Sequence, residues 1–335
     1  MNNSNLSKFL RWETLLLAIL VISIIVNASI SEFYFEPGNI SNIFRLSIEK
    51  AIVVVVMAFV IINAEIDLSV ASVMGLAASV LAFSYEAGHP LILGIGIALL
   101  AGLLCGLING FFIAYLGIPS LVVTLAGLIM YRGAARILLE DRSVGDYPAW
   151  FTGLAQNEVL GPFPITIFIF ILLLVIAFVI LQYSTFGRYV YAIGNNLEGS
   201  EYAGINVKRV KMWIFVASAL IATVAGILYA ARLGNVRANA AEGFELDIIT
   251  IVLLGGVSIF GGRGTMAGVA LSLLLVLNLR NGMNLTNVNG NTQTSVIGLL
   301  LILSVLIPNI AQSVQTWWNR RNIGDKDKRL LAEEV

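Results

Sequence analysis

Few side chains in this sequence could take part in chemistry, and the first group is the stretch Glu65-Ile66-Asp67-Leu68-Ser69 between two long apolar runs. Charges at membrane depth cost about 2.5–3.5 kcal/mol on insertion scales, so they face protein or water. Asp67 or Ser69 is typical of a helix N-cap, and we favour that interpretation for Asp67. Glu65 has nothing evident to cap. Glu65, Asp67 and Ser69 are therefore also candidates for the wall of a polar substrate pathway.

A second polar group lies near the end of a later apolar run. Asn278 and Asn281 are separated by one helical turn and flank Arg280. Their amides could donate and accept hydrogen bonds with the hydroxyl groups of a ligand on a pathway. A hydrated helix end would have the same composition, and we favour it over the pathway interpretation.

The sequence offers no catalytic set. The chain has one cysteine, Cys105, and one histidine, His89, so no disulfide, Cys-ligated cluster or His-pair metal site forms within it. The stretch Gly261-Gly262-Arg263-Gly264-Thr265 lacks the lysine and spacing of a phosphate-binding loop. It predicts a tight turn, since glycine tolerates positive φ. We expect no catalytic residue, no metal and no cofactor.

The composition sets the class of protein. Of 335 residues, 58% are hydrophobic and 12% charged, and the mean hydropathy is +0.90. A soluble domain has about 25% charged residues, so this is an integral membrane protein. The formal net charge of zero gives no sign of a nucleic-acid partner. The first apolar run lacks a small-residue cleavage site, which indicates a retained helix.

Hydropathy predicts an all-α polytopic bundle, a single transmembrane domain over 1–335 with about ten membrane spans. The predicted spans are 14–30, 45–63, 70–84, 90–115, 119–138, 164–182, 212–232, 247–261, 265–281 and 293–311. Ten spans put both termini on one side, together with a polar loop at 184–211 and a tail at 318–335. That side carries twelve of the twenty Lys and Arg residues, which indicates that the termini and the 184–211 loop are cytoplasmic.

One face of the fourth predicted span is smooth. Gly102, Gly106 and Gly110 recur every four residues, which permits close contact with a neighbouring helix. Sliding of helices is possible there, but static packing is the favoured interpretation.

The polar loop at 184–211 has the signals of a short helix outside the bilayer. Asn195 and Asn196 are good N-cap residues, Leu197–Ala203 is compatible with a helix, and Gly204 fits its C-terminal end. Glu198 lies in the early turn that the helix dipole favours. Caps at both ends and basic flanks favour a docking role over an idle loop on the headgroups. The docking candidates are Gly194, Asn195, Asn196, Leu197, Glu198, Ala203 and Gly204.

Several motifs together resemble the permease subunits of bacterial ABC importers of the ribose, autoinducer-2 and rhamnose class. In chain order the matching stretches are Ile66–Val70, Gly187–Gly194, Ala203–Val207, Gly243–Asp247, Leu254–Ser258 and Gly261–Gly264. Their order and spacing agree with the family over nearly the whole chain. Glu65 and Ala71 depart from it, since the family commonly has glycine at both positions, which puts the substrate in doubt but not the class.

The resemblance implies partners that the residues alone do not show. Two permease subunits, identical or sister chains, would form the pore in membrane lipid. Cytoplasmic ATP-binding subunits would drive it, and a periplasmic or lipid-anchored sugar-binding protein would deliver the substrate. The helix at 195–203 would be the coupling helix that enters the ATPase.

The expected function is therefore the membrane-spanning permease subunit of an ATP-driven importer of a monosaccharide or small polyol, with ATP hydrolysis on a separate subunit. The alternative is a stand-alone secondary transporter or channel for a small polar solute. That alternative predicts membrane-embedded acidic or histidine relays, for which the sequence offers only Glu65 and Asp67.

Overall fold

The computed structural model describes residues 12–45, 47–140, 142–303 and 306. The predicted tail at 318–335 and the end of the last predicted span lie outside these residues. The described helices, in chain order, are α1 Trp12–Ile30, α2 Pro37–Arg45, α3 Ile48–Ile62, α4 Val70–Glu86, α5 Leu91–Ala114, α6 Ser120–Leu139, α7 Ala149–Gln156, α8 Ile165–Tyr183, α9 Thr185–Asn195, α10 Leu197–Tyr202, α11 Val207–Leu233, α12 Phe244–Leu254, α13 Met266–Leu285 and α14 Gly290–Leu303.

The remaining elements are short and lie between helices. A 3₁₀ helix covers Glu32–Phe35, and the strands are β1 Val144–Gly145, β2 Glu158–Leu160, β3 Phe163–Pro164 and β4 Asn235–Val236. β1 pairs antiparallel with β4, and β2 pairs antiparallel with β3. The all-α prediction is confirmed at the level of a helical membrane protein.

Six of these helices, α1, α5, α6, α8, α11 and α13, are long and apolar enough to cross a membrane. The other four predicted spans form shorter helices. The prediction of one continuous span at 247–261 is wrong, because α12 ends at Leu254 and a glycine-rich turn follows. The span predicted at 45–63 contains the 15-residue helix α3.

The centre of the bundle is α3, and all fifteen of its residues are buried. Helices α8, α9, α11, α12 and α13 contact it. The two ends of the bundle can be named from it. Ile62, the last residue of α3, lies beside residues of the 184–211 segment, and we call this end of the bundle the loop end. Ile48, the first residue of α3, lies at the opposite end.

The glycine face of α5 packs against α11 in antiparallel order. A Cβ atom at Gly102 would lie 1.8 Å from the Thr223 hydroxyl oxygen, and one at Gly106 would lie 2.8 Å from the Val216 Cα. At Gly110 it would lie 2.6 Å from the Met212 sulfur. The predicted packing face is confirmed, because these helices approach too closely for any side chain there.

Candidate functional site

Capping interactions at both ends stabilise helix α10. The Asn196 side chain caps it, since Oδ1 accepts from the Gly199 N–H at 2.9 Å. After the last turn Gly204 takes a φ of +81°, and its N–H donates to the Glu201 carbonyl at 2.9 Å. The predicted short helix is confirmed, one residue shorter than expected. Asn195 does not cap it, because that residue ends the preceding helix α9.

The surface of α10 is exposed except at one position. Ser200 is buried, and its hydroxyl donates to the Asn196 carbonyl at 2.8 Å. Leu197 is 40% exposed and Tyr202 is 93% exposed. Two large apolar side chains on a solvated helix of six residues are available to a partner.

Helix α9 was not foreseen, because its basic, glycine-containing sequence was interpreted as loop. Its N-cap is Ser184, whose Oγ accepts from the Gly187 N–H at 3.0 Å. Gly187, Val190 and Gly194 are buried at helical spacing. That spacing, together with the capping serine, is the sequence signal from which helix α9 could have been predicted.

The C-terminal end of α9 meets two other segments almost backbone to backbone. We call this contact the glycine junction; it consists of 62–64, 194–195 and 261–262. A Cβ atom at Gly194 would lie 1.8 Å from the Ile62 carbonyl oxygen, and one at Gly262 would lie 2.8 Å from the Asn195 Cα. The Gly262 N–H donates to the Ile62 carbonyl at 2.8 Å.

Side-chain bonds from α9 reinforce the glycine junction. The Tyr191 hydroxyl donates to the Gly264 carbonyl at 2.7 Å. Burial raises the pKa of Tyr191 above its ordinary value, so the hydroxyl keeps the proton that it donates. The Asn63 amide donates to the Val190 carbonyl at 3.3 Å. Helix α9 is thereby fixed both to the break after α3 and to the turn before α13.

The break between α3 and α4 contains the first group of predicted pathway residues. Glu65 forms an ion pair with Lys211 near the start of α11. Both side chains are mostly buried. Glu65 thus links the break to the segment that carries α10.

Asp67 is more deeply buried than Glu65, and its carboxylate joins neighbouring segments by hydrogen bonds. It is 1% exposed, and Oδ1 accepts from the Ser69 N–H at 2.9 Å and from the Ser69 hydroxyl at 2.6 Å. Oδ2 accepts from the Ser218 hydroxyl of α11 at 2.8 Å. Asp67 therefore holds the residue that precedes α4. The predicted side-chain cap does not form, because Ser69 is the N-cap residue and its side chain makes no capping bond to the helix. Ser69 continues the network, because it accepts from the Asn109 amide at 2.9 Å.

The predicted pathway residues do not form one site, because Asn278 and Asn281 lie towards the opposite end. Asn278 is buried between α1 and α13, where its Oδ1 accepts from the Tyr34 hydroxyl at 2.5 Å and its amide donates to Ser23 at 2.8 Å. Asn281 exchanges hydrogen bonds with Asn39, at 2.7 and 3.1 Å. Asn278 thus joins helices, whereas Asn281 lines a cavity.

That cavity, which we call the polar cavity, has a volume of about 240 Å³. It is lined by Asn42, Ile43, Ser47, Lys50, Phe244, Leu277, Arg280, Asn281, Asn284 and Gln293. Lys50 and Arg280 both bind the same oxygen of Asp247, at 2.5 and 2.7 Å. The sequence reasoning missed this charged triad. Its signal was the presence of charged residues within three predicted spans, 45–63, 247–261 and 265–281.

Within the described ranges, no cluster of His, Cys, Asp and Glu residues could hold a metal ion. The arrangement is instead that of a membrane transporter subunit. An exposed helix at one end is fixed to the central helices, and a polar cavity lies towards the other end.

Comparison with known proteins defines the family. The model for branched-chain amino acid transport system permease components matches residues 39–305, and the chain belongs to this family. It is 31% identical over 312 residues to a ribose import permease protein of Haemophilus influenzae, covering 92% of this chain and 96% of the relative. It is 32% identical over 319 residues to an autoinducer 2 import system permease protein of Escherichia coli K12, with the same coverage, 92% and 96%. No solved structure matches.

These relatives confirm the resemblance to ABC importer permeases that the motifs indicated. The chain is a multi-pass transport subunit of the inner membrane.

Proposed function

We propose that this chain is the pore-forming permease of an ATP-driven, binding-protein-dependent importer of a monosaccharide or related small polyol. The relatives described above are named as import permeases for ribose and for autoinducer 2. The observation that carries the proposal is the glycine junction. It ties the exposed helix α10, through α9, to the central helix α3 and to the turn before α13.

In this proposal α10 is the coupling helix, and ATP hydrolysis takes place on separate cytoplasmic subunits. The docking surface comprises Asn195, Asn196, Leu197, Glu198, Ala203 and Gly204, whereas the predicted docking residue Gly194 is buried in the glycine junction behind it. Closure of the ATPase dimer displaces α10. Because the backbones meet with no side chain between them, the displacement reaches the break at 63–69 and the turn at 255–265 together. The ATPase drives the change only if it binds the two pore conformations unequally.

The topology in this proposal has ten crossings, with the loop end and both termini in the cytoplasm. The direction of the helices supports it. α11 begins at the loop end beside Glu65 and ends beside Glu49 of α3, where Arg232 binds Glu49 at 2.7 Å. The polar cavity then opens towards the periplasm, where a periplasmic or lipid-anchored sugar-binding protein delivers its cargo. A second copy or sister permease completes the pore.

The stand-alone transporter gains no support from the acidic residues. Glu65 is neutralised by Lys211, and Asp67 is held by Ser69 and Ser218. Among the described residues these two carboxylates form no relay with a histidine, since His89 lies in the turn after α4.

Reconstitution tests the proposal. The chain, its ATP-binding subunits and its binding protein are placed in vesicles, and uptake of labelled ribose is followed with ATP present or absent. Uptake should require all three components and ATP. Accumulation by the chain alone, driven by a proton gradient, would show that it is a secondary transporter.

A further inference from the structure

Arg280 has hydrogen-bonding capacity that the protein itself does not use. Its Nη2 binds Asp247 at 2.7 Å, and its side chain is 20% exposed in the wall of the polar cavity. Over the part of the chain that the structure describes, Nε and Nη1 have no hydrogen-bond partner. A guanidinium is charged at any physiological pH, so this side of the cavity always presents a positive donor.

The neighbouring groups do not cancel that charge. Asp247 is shared with Lys50, which also lies over the Phe244 ring at 3.9 Å from its centroid. The next carboxylate, Glu49, is bound to Arg232 at 2.7 Å. Across this row of groups the cations are Arg280, Lys50 and Arg232, and the anions are Asp247 and Glu49. One positive charge is therefore left over, at the wall of the polar cavity.

The amides of the cavity leave room for further hydrogen bonds to a ligand. The Gln293 amide donates to Asn284 Oδ1 at 2.7 Å, which leaves the Asn284 amide nitrogen without a partner among the described residues. Asn42 is exposed at the cavity. The volume of about 240 Å³ is below the roughly 300–1,000 Å³ of sites for drug-sized ligands, which restricts the occupant to a small molecule.

We propose that the polar cavity is a substrate subsite for a sugar that carries an acidic group, and that Arg280 selects for its negative charge. The inference rests on the proposed function and narrows its substrate class from polyols to sugar acids. An anionic group accepts charge-assisted hydrogen bonds from Arg280 and cancels the surplus charge. The amides of Asn42 and Asn284 bind its hydroxyl groups.

The test compares D-ribonate with D-ribose, which have the same number of carbons and differ in charge. Binding of each is measured to the assembled transporter in phosphatidylcholine nanodiscs. The wild-type protein should bind ribonate about tenfold more tightly, the effect of one charged hydrogen bond. Arg280→Gln should bring ribonate down to the affinity of ribose. Arg136→Gln, an arginine that is outside the cavity and on the exposed end of α6, should leave the preference intact.

Equal binding of the two sugars by wild-type protein would overturn the inference, as would an unchanged preference in Arg280→Gln. Arg280→Lys keeps the charge and should keep most of the preference, which separates loss of charge from loss of folding. A lipid headgroup could supply the same anionic chemistry. If phosphatidylglycerol nanodiscs weaken ribonate binding to wild-type but not to Arg280→Gln, the cavity holds a headgroup and the inference is wrong.

Uptake separates this inference from the proposed function. ATP-dependent uptake of ribose without any preference for ribonate would refute the sugar-acid subsite alone. Absence of ATP-dependent uptake of both sugars would refute the importer, and with it the subsite.

Discussion

Gly194→Ala should damage the protein far more than the addition of one methyl group suggests. The new Cβ would lie 1.8 Å from the Ile62 carbonyl oxygen and 2.7 Å from the Gly262 nitrogen. Contacts under 3.0 Å essentially never occur for a real Cβ atom, so the backbones must move apart by more than 1 Å. That movement breaks the hydrogen bond of 2.8 Å between the Gly262 N–H and the Ile62 carbonyl.

Two costs follow from this movement. Overpacking of a dense interior costs about 1–3 kcal/mol. A buried backbone pair left without its hydrogen bond costs about 1–3 kcal/mol more. The variant should therefore lose about 2–6 kcal/mol at the glycine junction. The matched control is Gly133→Ala in α6, where no atom lies within 4 Å of the new Cβ. Alanine there should stabilise its helix by up to about 1 kcal/mol.

Thermal unfolding in detergent and ATP hydrolysis in the reconstituted transporter measure the two consequences. Gly194→Ala should lower the unfolding temperature by at least about 4 °C and reduce the stimulation of ATP hydrolysis by the loaded binding protein. Gly133→Ala should leave the stimulation of ATP hydrolysis unchanged and should not lower the unfolding temperature. If Gly194→Ala unfolds and couples like the wild-type protein, the three segments do not meet as tightly as described, and the proposed transmission through them is wrong.

Three further predictions concern topology, the coupling helix and Asp67. On a Cys105→Ser background, a cysteine at exposed Ser143 should react with an impermeant thiol reagent added outside, whereas one at Tyr202 should not; the reverse pattern would invert the proposed orientation. Tyr202 suits this test because it is 93% exposed, whereas the neighbouring Ser200 is buried. Leu197→Asp should assemble in the membrane and bind the binding protein but lose ATPase association, because an unpaired charge in an interface costs several kcal/mol; transport at the wild-type rate would exclude α10 as the coupling element. Asp67→Asn should lower thermal stability by about 1.5–3 kcal/mol through a weakened charged hydrogen bond; normal stability with altered substrate affinity would instead make Asp67 a pathway residue.

The sequence predicted those features that depend on local pattern. The helix at Leu197–Tyr202 followed from Asn196 and Gly204, whose roles are set within a few residues. The packing face of α5 followed from glycines at a spacing of four. The family followed from motifs spread along the chain.

Features that depend on distant partners were beyond sequence reasoning. Lys50, Asp247 and Arg280 are about 200 and 30 residues apart, and only the fold brings them to one oxygen atom. The pairing of Glu65 with Lys211 has the same origin. The glycine junction could not be foreseen because Gly194 had been assigned to the docking loop and Gly262 to a local turn 68 residues later.

The complete burial of α3 has a consequence for the order in which the protein can be made. At 15 residues the helix is about 22 Å long, shorter than the roughly 30 Å hydrocarbon layer. It also begins with the charged pair Glu49 and Lys50, whose partners Arg232 and Asp247 are synthesised some 180 to 200 residues later. During translation α3 therefore enters the membrane with its charges unpaired. It reaches its final place only when α11 and α12 arrive, so assembly of the bundle must wait for the second half of the chain.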